Sequence, residues 1–432
     1  MNRNRASLEG YRPTPKVGMA AVVAAALIVL LLTIVANPAA ARGQTATPPK
    51  FRIQSLGYLP GGDDSSATAI NARGEVAGFG ETFRPHHPNY PHPDEAFLFT
   101  NGRLVQLGLP PGSQESFAEG VNDAGHVAVT VERADRQGHL MAYVMEPFSR
   151  GPTWTKLPEP TGRYPHGSVS AINDSGAVAG QSPAVDNTHA AVWRVRHGRY
   201  ILDRSLLSLK RRALVNGIDN AGDIVGTDYG TDTAQSARPL LWSGQESGRP
   251  MNLGCTRYAG PPFHCTKGAP GEALAVARSG YSHTLIDAVG VRFKSLHSLA
   301  QVAVWWSFNS LTRSRGPAVA QATILPLLKG YKLSEADALN ANGWIVGEMD
   351  TLSGGYPGRL TGSHPSAVRF KDSIASGPAV LWLNHAVYDL NHLIPRHSGW
   401  SLQQATGVNE SGQIVGNGLY DGRQTGFLLT PR

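Results

Sequence analysis

The stretch ATGVNESGQIVG at residues 405–416 decides how the chain is read, because it recurs. Versions of it stand at ATAINARGEVAG (67–78), AEGVNDAGHVAV (118–129), VSAINDSGAVAG (169–180), VNGIDNAGDIVG (215–226) and ADALNANGWIVG (336–347). A degenerate version, ALAVARSGYSHT (273–284), has Ala277 at the Asn position and no closing glycine. The turn glycines Gly74, Gly125, Gly176, Gly222, Gly280, Gly343 and Gly412 hold one offset throughout. Self-similarity at a period of tens of residues marks a repeat architecture. Asn-x-x-Gly between two alternating apolar runs predicts a tight hairpin, with Asn bonding its own backbone and Gly at positive φ.

Two more strand-like runs follow each phrase. The third strands are EAFLF (95–99), MAYV (141–144), AAVW (190–193), PLLW (239–242), VAVW (302–305), AVLW (379–382) and GFLL (426–429). Fourth strands include RLVQLG (103–108), WTKL (154–157), YILD (200–203), PMNLG (250–254), TILP (323–326) and VYDLN (387–391). The seventh repeat ends after its third strand, and FRIQSLGYLPGG (51–62) resembles RLVQLGLPPGSQ (103–114), which supplies the missing one. The expected fold is therefore all-β: a seven-bladed β-propeller of four-stranded meander blades, with the N-terminal strand closing the last blade. A linear β-solenoid is the alternative, and it has no need of a displaced strand. Two residues before the Asn position stands Ala or Gly in every copy (Ala69, Gly120, Ala171, Gly217, Ala275, Ala338 and Gly407), as expected where inner strands converge.

Composition agrees. Gly (49) and Pro (30) are in excess and charged residues are only 16%, which excludes a mostly helical chain and a solvated disordered one. The apolar run VGMAAVVAAALIVLLLTIVA (17–36) follows Arg3, Arg5, Arg12 and Lys16 and precedes Ala39, Ala40 and Ala41. Residues 1–41 read as an export signal or membrane anchor, 42–50 as a linker and 51–432 as the seven-repeat propeller. Either reading places the body outside the cytoplasm. Removing four basic residues and Glu9 with that segment takes the net charge from +7 to +4, which gives nucleic acid binding no support. Cys255 and Cys265 read as a disulfide stapling one loop in that oxidising setting.

The phrases resemble the HAF-repeat family of probable extracellular repeat proteins, whose motif is roughly A-x-x-I-N-x-x-G-x-V-V-G, then H-A-F-L-W, then D-L-G or D-L-N. YDLNHLIPRHSGWSLQQATGVNESGQIVGNG (388–418) carries the resemblance best, with DEAFLF and THAAVW weaker third-strand matches. The resemblance spans nearly all of residues 51–432. It implies secretion and a repeated β fold, and it brings no catalytic residues, cofactor or substrate.

In a meander blade the 1–2 and 3–4 hairpins share one end, and the 2–3 loops share the other with the blade-to-blade connections. The largest insertions are expected at the second end: 79–94, 130–139, the cysteine loop 254–271, 285–300 and 348–377. Variable loops on a rigid ring are the usual place for binding. A ring of inner-strand polar residues, Thr68, Glu119, Ser170, Asn216, Asp337 and Thr406, with Leu274 the exception, forms the candidate ligand site. Their partners would be channel waters or a ligand. Glu119 and Asp337 also form the carboxylate pair that a glycan-acting hydrolase or lyase would need. His86, His87, His92 and Asp94 have the chemistry of metal ligands, but prolines interrupt them and no metal site is assigned. The turn acids Asp123, Asp174 and Glu410 read as local turn chemistry. Trp193, Trp242, Trp305 and Trp382 read as core in register, leaving Trp306 and Trp400 as platform candidates. No nucleophile, metalloprotease, phosphate or dinucleotide motif is present, so a binding module for a glycan or envelope protein is favoured over an enzyme, with no cofactor.

Overall fold

Each phrase folds as the innermost strand of a four-stranded antiparallel sheet, and the seven sheets stand in a ring. A computed structural model of the chain describes residues 47–83, 92–135, 139–146, 153–159, 167–183, 188–203, 213–229, 237–243, 250–259, 264–268, 270–279, 285–295, 298–309, 320–351 and 377–432. The export segment 1–41 and most of the linker lie outside those residues. Among them no helix is long and apolar enough to cross a membrane. The inner strands of blades 1 to 7 are Ser66–Ile70, Ser113–Val121, Ser168–Ile172, Ala213–Ile218, Gly271–Ser279, Leu333–Leu339 and Trp400–Val408. The N-terminal strand Phe51–Ser55 pairs with Arg423–Pro431 and completes blade 7 as its fourth, outermost strand.

The hairpin chemistry is as expected. Gly74, Gly125, Gly176, Gly222, Gly343 and Gly412 all take φ between 74° and 82°. The Asn71 Oδ1 accepts from the Arg73 and Glu75 amides at 3.1 and 2.9 Å, and Asn122 and Asn340 repeat the pattern. What joins the blades is the other half of the same side chain. The Asn71 Nδ2 donates to the Asn122 carbonyl of blade 2 at 2.9 Å, and Asn122 donates to the Asn173 carbonyl of blade 3 at 3.1 Å. Asn173 donates to the Asp219 carbonyl of blade 4 at 2.9 Å. Asn340 donates to Asn409 at 2.8 Å, and Asn409 joins the last blade to the first through Asn71 at 3.0 Å, which gives five of the seven seams an amide bond. These five asparagines are 2 to 5% exposed, so their amides have no water to fall back on.

A second chain of bonds runs beside this relay. The amides of Ala72, Asp123 and Ala341 donate to side-chain oxygens of Asp123, Asp174 and Glu410, each on the next blade, at 2.9, 2.7 and 3.0 Å. The turn acids therefore bind the neighbouring turn, beyond the local role their spacing suggested. Ser65, Ser116 and Ser334 reach the other way, accepting third-strand amides of the preceding blade at 3.1, 2.9 and 2.8 Å.

The small residues mark close approaches. A Cβ on Gly217 would lie 3.0 Å from the Leu274 carbonyl of blade 5, and one on Gly120 would lie 3.1 Å from the Ile172 amide of blade 3. The closing glycines face a tighter limit. A Cβ on Gly347 would fall 2.0 Å from the Glu335 carbonyl, and Gly78, Gly180, Gly226 and Gly416 meet their own inner strands at similar range.

Blade 5 corrects three expectations. Elsewhere the residue before the Asn position pairs with the fifth residue after it, as Ile70 with Val76. In blade 5, Val276 pairs with Ala288, the eleventh after Ala277, so the hairpin is six residues longer. Residues 285–300 are thus no 2–3 insertion: Leu285–Ser295 is the second strand and Ser298–Asn309 the third. The closing glycine exists after all, as Gly290, whose Cβ would lie 2.1 Å from the Glu272 carbonyl. The shift also exchanges the roles of two tryptophans. Trp306 pairs with Ala288 as Trp193, Trp242 and Trp382 pair with Val178, Ile224 and Ile345, and it is 2% exposed, which removes it as a platform. Trp305 is the one out of register, half-buried with its indole N–H on Asp287 at 3.1 Å.

Cys255 and Cys265 lie on the facing strands of a separate hairpin, Cys255–Ala259 with His264–Gly268, on the connection from blade 4 to blade 5. Cys255 stands opposite Gly268 and Cys265 opposite Tyr258. Their side chains, and with them the disulfide, lie outside the described set.

If the relay carries the ring, Asn340→Ala removes the acceptor of two part-buried turn amides and the bond that joins blade 6 to the Asn409 carbonyl of blade 7. It should cost about 2–4 kcal/mol in denaturant unfolding of the full chain. A loss below about 0.5 kcal/mol would show that the relay is incidental.

Candidate functional site

The six polar residues singled out on the inner strands share one structural position. In every blade the pairing of strands 1 and 2 skips one residue at the same place, and these residues are Thr68, Glu119, Ser170, Asn216, Leu274, Asp337 and Thr406; blades 2 and 7 skip a second, Gln114 and Gln403. Each of the seven is a β-bulge three residues before the Asn position. A bulge re-aims one side chain and adds local twist. In six blades a closing glycine accompanies it, where the carbonyl two residues before the bulge lies at 2.0–2.2 Å from the place a Cβ would take.

Three of the six side chains are engaged by the neighbouring blade. The Thr68 hydroxyl lies 2.7 Å from the Ala118 carbonyl of blade 2, and the Asn216 Nδ2 donates to the Ala273 carbonyl of blade 5 at 2.7 Å. The Thr406 hydroxyl donates to the Ala67 carbonyl of blade 1 at 3.0 Å. In all three the acceptor is the residue just before the next blade's bulge, so the bond repeats around the ring. Ser170 and Asp337 are half-buried, and Glu119 is 8% exposed. Leu274, the apolar exception, is 9% exposed in the same ring. Glu119 and Asp337 stand in blades 2 and 6, four blades apart one way around and three the other.

Sequence reasoning missed the reach of these side chains to the next blade. One signal was present. An Asx turn needs only the side-chain acceptor, which Asp supplies as well as Asn. Asn nevertheless fills five positions, which points to a use for its N–H2.

The 2–3 ends of blades 1 and 2 carry a run of acids. Carboxylates of Asp63, Asp64 and Glu81 lie within 4.8 Å of one another, and His92 Nδ1 is 3.0 Å from Glu81. His86 and His87 lie outside the described residues. Glu115, 9% exposed, accepts from the Asp94 amide at 3.4 Å and pairs across strands with Glu132. Burial pushes its carboxyl up to about 8, with the negative charges of Asp94 and Glu132 adding to the effect. A separate surface pocket of about 370 Å³ lies at the outer edge between blades 6 and 7, where Lys50, His392, Arg396 and Arg432 surround Phe51 and Ile394. Lys50 Nζ is bonded to the His392 carbonyl at 2.9 Å, so part of this cationic rim seals the closing strand. Trp400, the remaining platform candidate, is half-buried and stacks on Tyr420 with ring centroids 4.9 Å apart.

No protein-family model matches the chain, and no curated protein matches it. Among solved structures it is similar to a Dos1 propeller at 8% identity, covering 88% of this chain and 94% of that one, with a TM-score of 0.46. It is similar to an α-L-arabinofuranosidase from Fusarium graminearum at 8% identity, covering 89% and 98%, with a TM-score of 0.38. A Trypanosoma rangeli sialidase matches at 12% identity over 65% of this chain and 58% of that one, with a TM-score of 0.34.

Glu115 makes stability depend on pH. Its carboxyl is raised from 4.5 to about 8 in the folded protein, so its contribution is present below 4.5 and lost as pH rises toward 8. Glu115→Gln should raise the melting temperature at pH 8.5 and leave it nearly unchanged at pH 4.5. Equal shifts at both pH values would contradict the assignment.

Proposed function

We propose that this is an exported, non-catalytic binding module of the HAF-repeat kind, a rigid ring that presents connections of uneven length to a glycan or envelope protein. One observation carries the reading. Six of the seven 1–2 hairpins share one five-residue turn, 71–75, 122–126, 173–177, 219–223, 340–344 and 409–413, and blade 5 alone has a longer hairpin. At the opposite end the 2–3 connections range from two residues (296–297 and 421–422) to the long segments 82–93 and 351–378. The turns laced by the relay keep one length, and the longest connections, 351–378 and 82–93, fall at the opposite end. The bulge donors Thr68, Asn216 and Thr406 support the same division, because they hold backbone carbonyls of the next blade. Residues 1–41 would direct export, and the ring needs no cofactor.

A glycan-array and envelope pull-down screen of the protein tests this, with a variant in which 351–378 is replaced by the two-residue turn of blade 7. Binding should fall at least tenfold while the melting temperature is kept. If the variant binds as the parent does, and Glu119→Gln or Asp337→Asn instead abolishes product release from a glycan, the protein is the hydrolase or lyase alternative.

A further inference from the structure

The relay of turn asparagines is interrupted at blade 4, where Asp219 stands in the Asn position. Its Oδ1 does what the other copies do, accepting from the Ala221 and Asp223 amides at 2.9 and 2.8 Å. Its Oδ2 occupies the place of the amide nitrogen and is buried without a hydrogen-bond partner. The group it faces follows from register. The bulge at Leu274 stands three residues before Ala277, as the bulge at Thr68 stands three before Asn71, so the Ala277 carbonyl is the counterpart of the carbonyls that accept the relay. The spacing between blades 4 and 5 is also the common one, because Asn216 reaches the Ala273 carbonyl at 2.7 Å just as Thr68 reaches that of Ala118. A carboxylate aimed at a carbonyl repels it. A carboxylic acid donates to it and extends the relay to blade 5.

We propose that Asp219 is protonated in the folded ring and donates its Oδ2–H to the Ala277 carbonyl, making the seam between blades 4 and 5 a proton-operated latch that loosens when Asp219 ionises. The charges around it are few. Asp223, in the same turn, is fully buried and held by Arg278 of blade 5 at 2.7 and 3.2 Å. From blade 3, Asn173 donates to the Asp219 carbonyl, and Asp174 bonds Asn220 beside it. Burial pushes the Asp219 carboxyl up to about 7, and the negative charge of Asp223 adds to it, against the pull of the turn amides and Arg278. The Arg278–Asp223 pair also holds this seam, while the Asp219 bond is present only with its proton. This is also the seam crossed by the cysteine-bearing connection. A folded-state value above the ordinary 3.8 means that the stabilisation is present below 3.8 and lost as pH rises to about 7.

The test is Asp219→Asn in the full chain, which restores the residue used in five other blades. The quantity read is the difference in unfolding equilibrium between variant and parent from pH 4 to pH 8.5. Glu115 titrates identically in both and cancels. The two proteins should match near pH 4, and the variant should gain a factor between about one hundred and one thousand in folding equilibrium constant above pH 7. Amide exchange at Ala277 and Arg278 in the parent should speed up over the same interval and stay flat in the variant. A pH-independent difference, or a variant that fails to fold, would overturn the latch.

Discussion

The side-chain amide of the turn asparagine is the contact on which the ring depends. One end of it closes its own hairpin, as Asn340 Oδ1 does for the Asn342 and Trp344 amides. The other end donates to the next hairpin, as Asn340 does to the Asn409 carbonyl. Folding of one blade therefore prepares the donor that docks the next at five of the seven seams, the last of them joining Asn409 to Asn71. Each such bond contributes about 1 kcal/mol net, which is small beside apolar burial. Its direction and reach set the angle and spacing at which blades meet, and apolar packing alone leaves both free.

The other repeated features follow from bringing seven inner strands close together. Ala or Gly two residues before the Asn lets one inner strand lie against the next. The bulge three residues before it turns one side chain toward the neighbouring blade, and the closing glycine makes room for the carbonyl two residues before the bulge. Blade 2 keeps the bulge at Glu119 with Val129 in place of that glycine, so the glycine accompanies the bulge in six blades without being required by it.

Much of this was legible in the sequence. The hairpins, the seven blades and the closing strand Phe51–Ser55 follow from local turn chemistry and from one segment resembling another. The bonds between blades were not, because they join residues far apart in sequence, such as Thr406 and Ala67, through an orientation that only the bulge creates. The candidate ring of Thr68, Glu119, Ser170, Asn216, Asp337 and Thr406 was found as a set, but its donors hold backbone where a ligand or water was expected. Blade 5 was misread for a related reason. Six extra residues in its hairpin moved Gly290 and Trp306 out of the expected columns while leaving them in register in space.

The ring is laced by its turns at one end and carries its longest connections at the other, where we propose recognition. The lacing is measured most directly by residue-resolved hydrogen exchange of the turn amides of Ala72, Asp123 and Ala341. These sit on exposed or half-buried turns yet donate to the next blade at 2.7–3.0 Å. They should exchange as slowly as the inner strands, through opening of the whole ring. Exchange at the rate of ordinary surface turns, with the inner strands still protected, would contradict a ring held together by its turns.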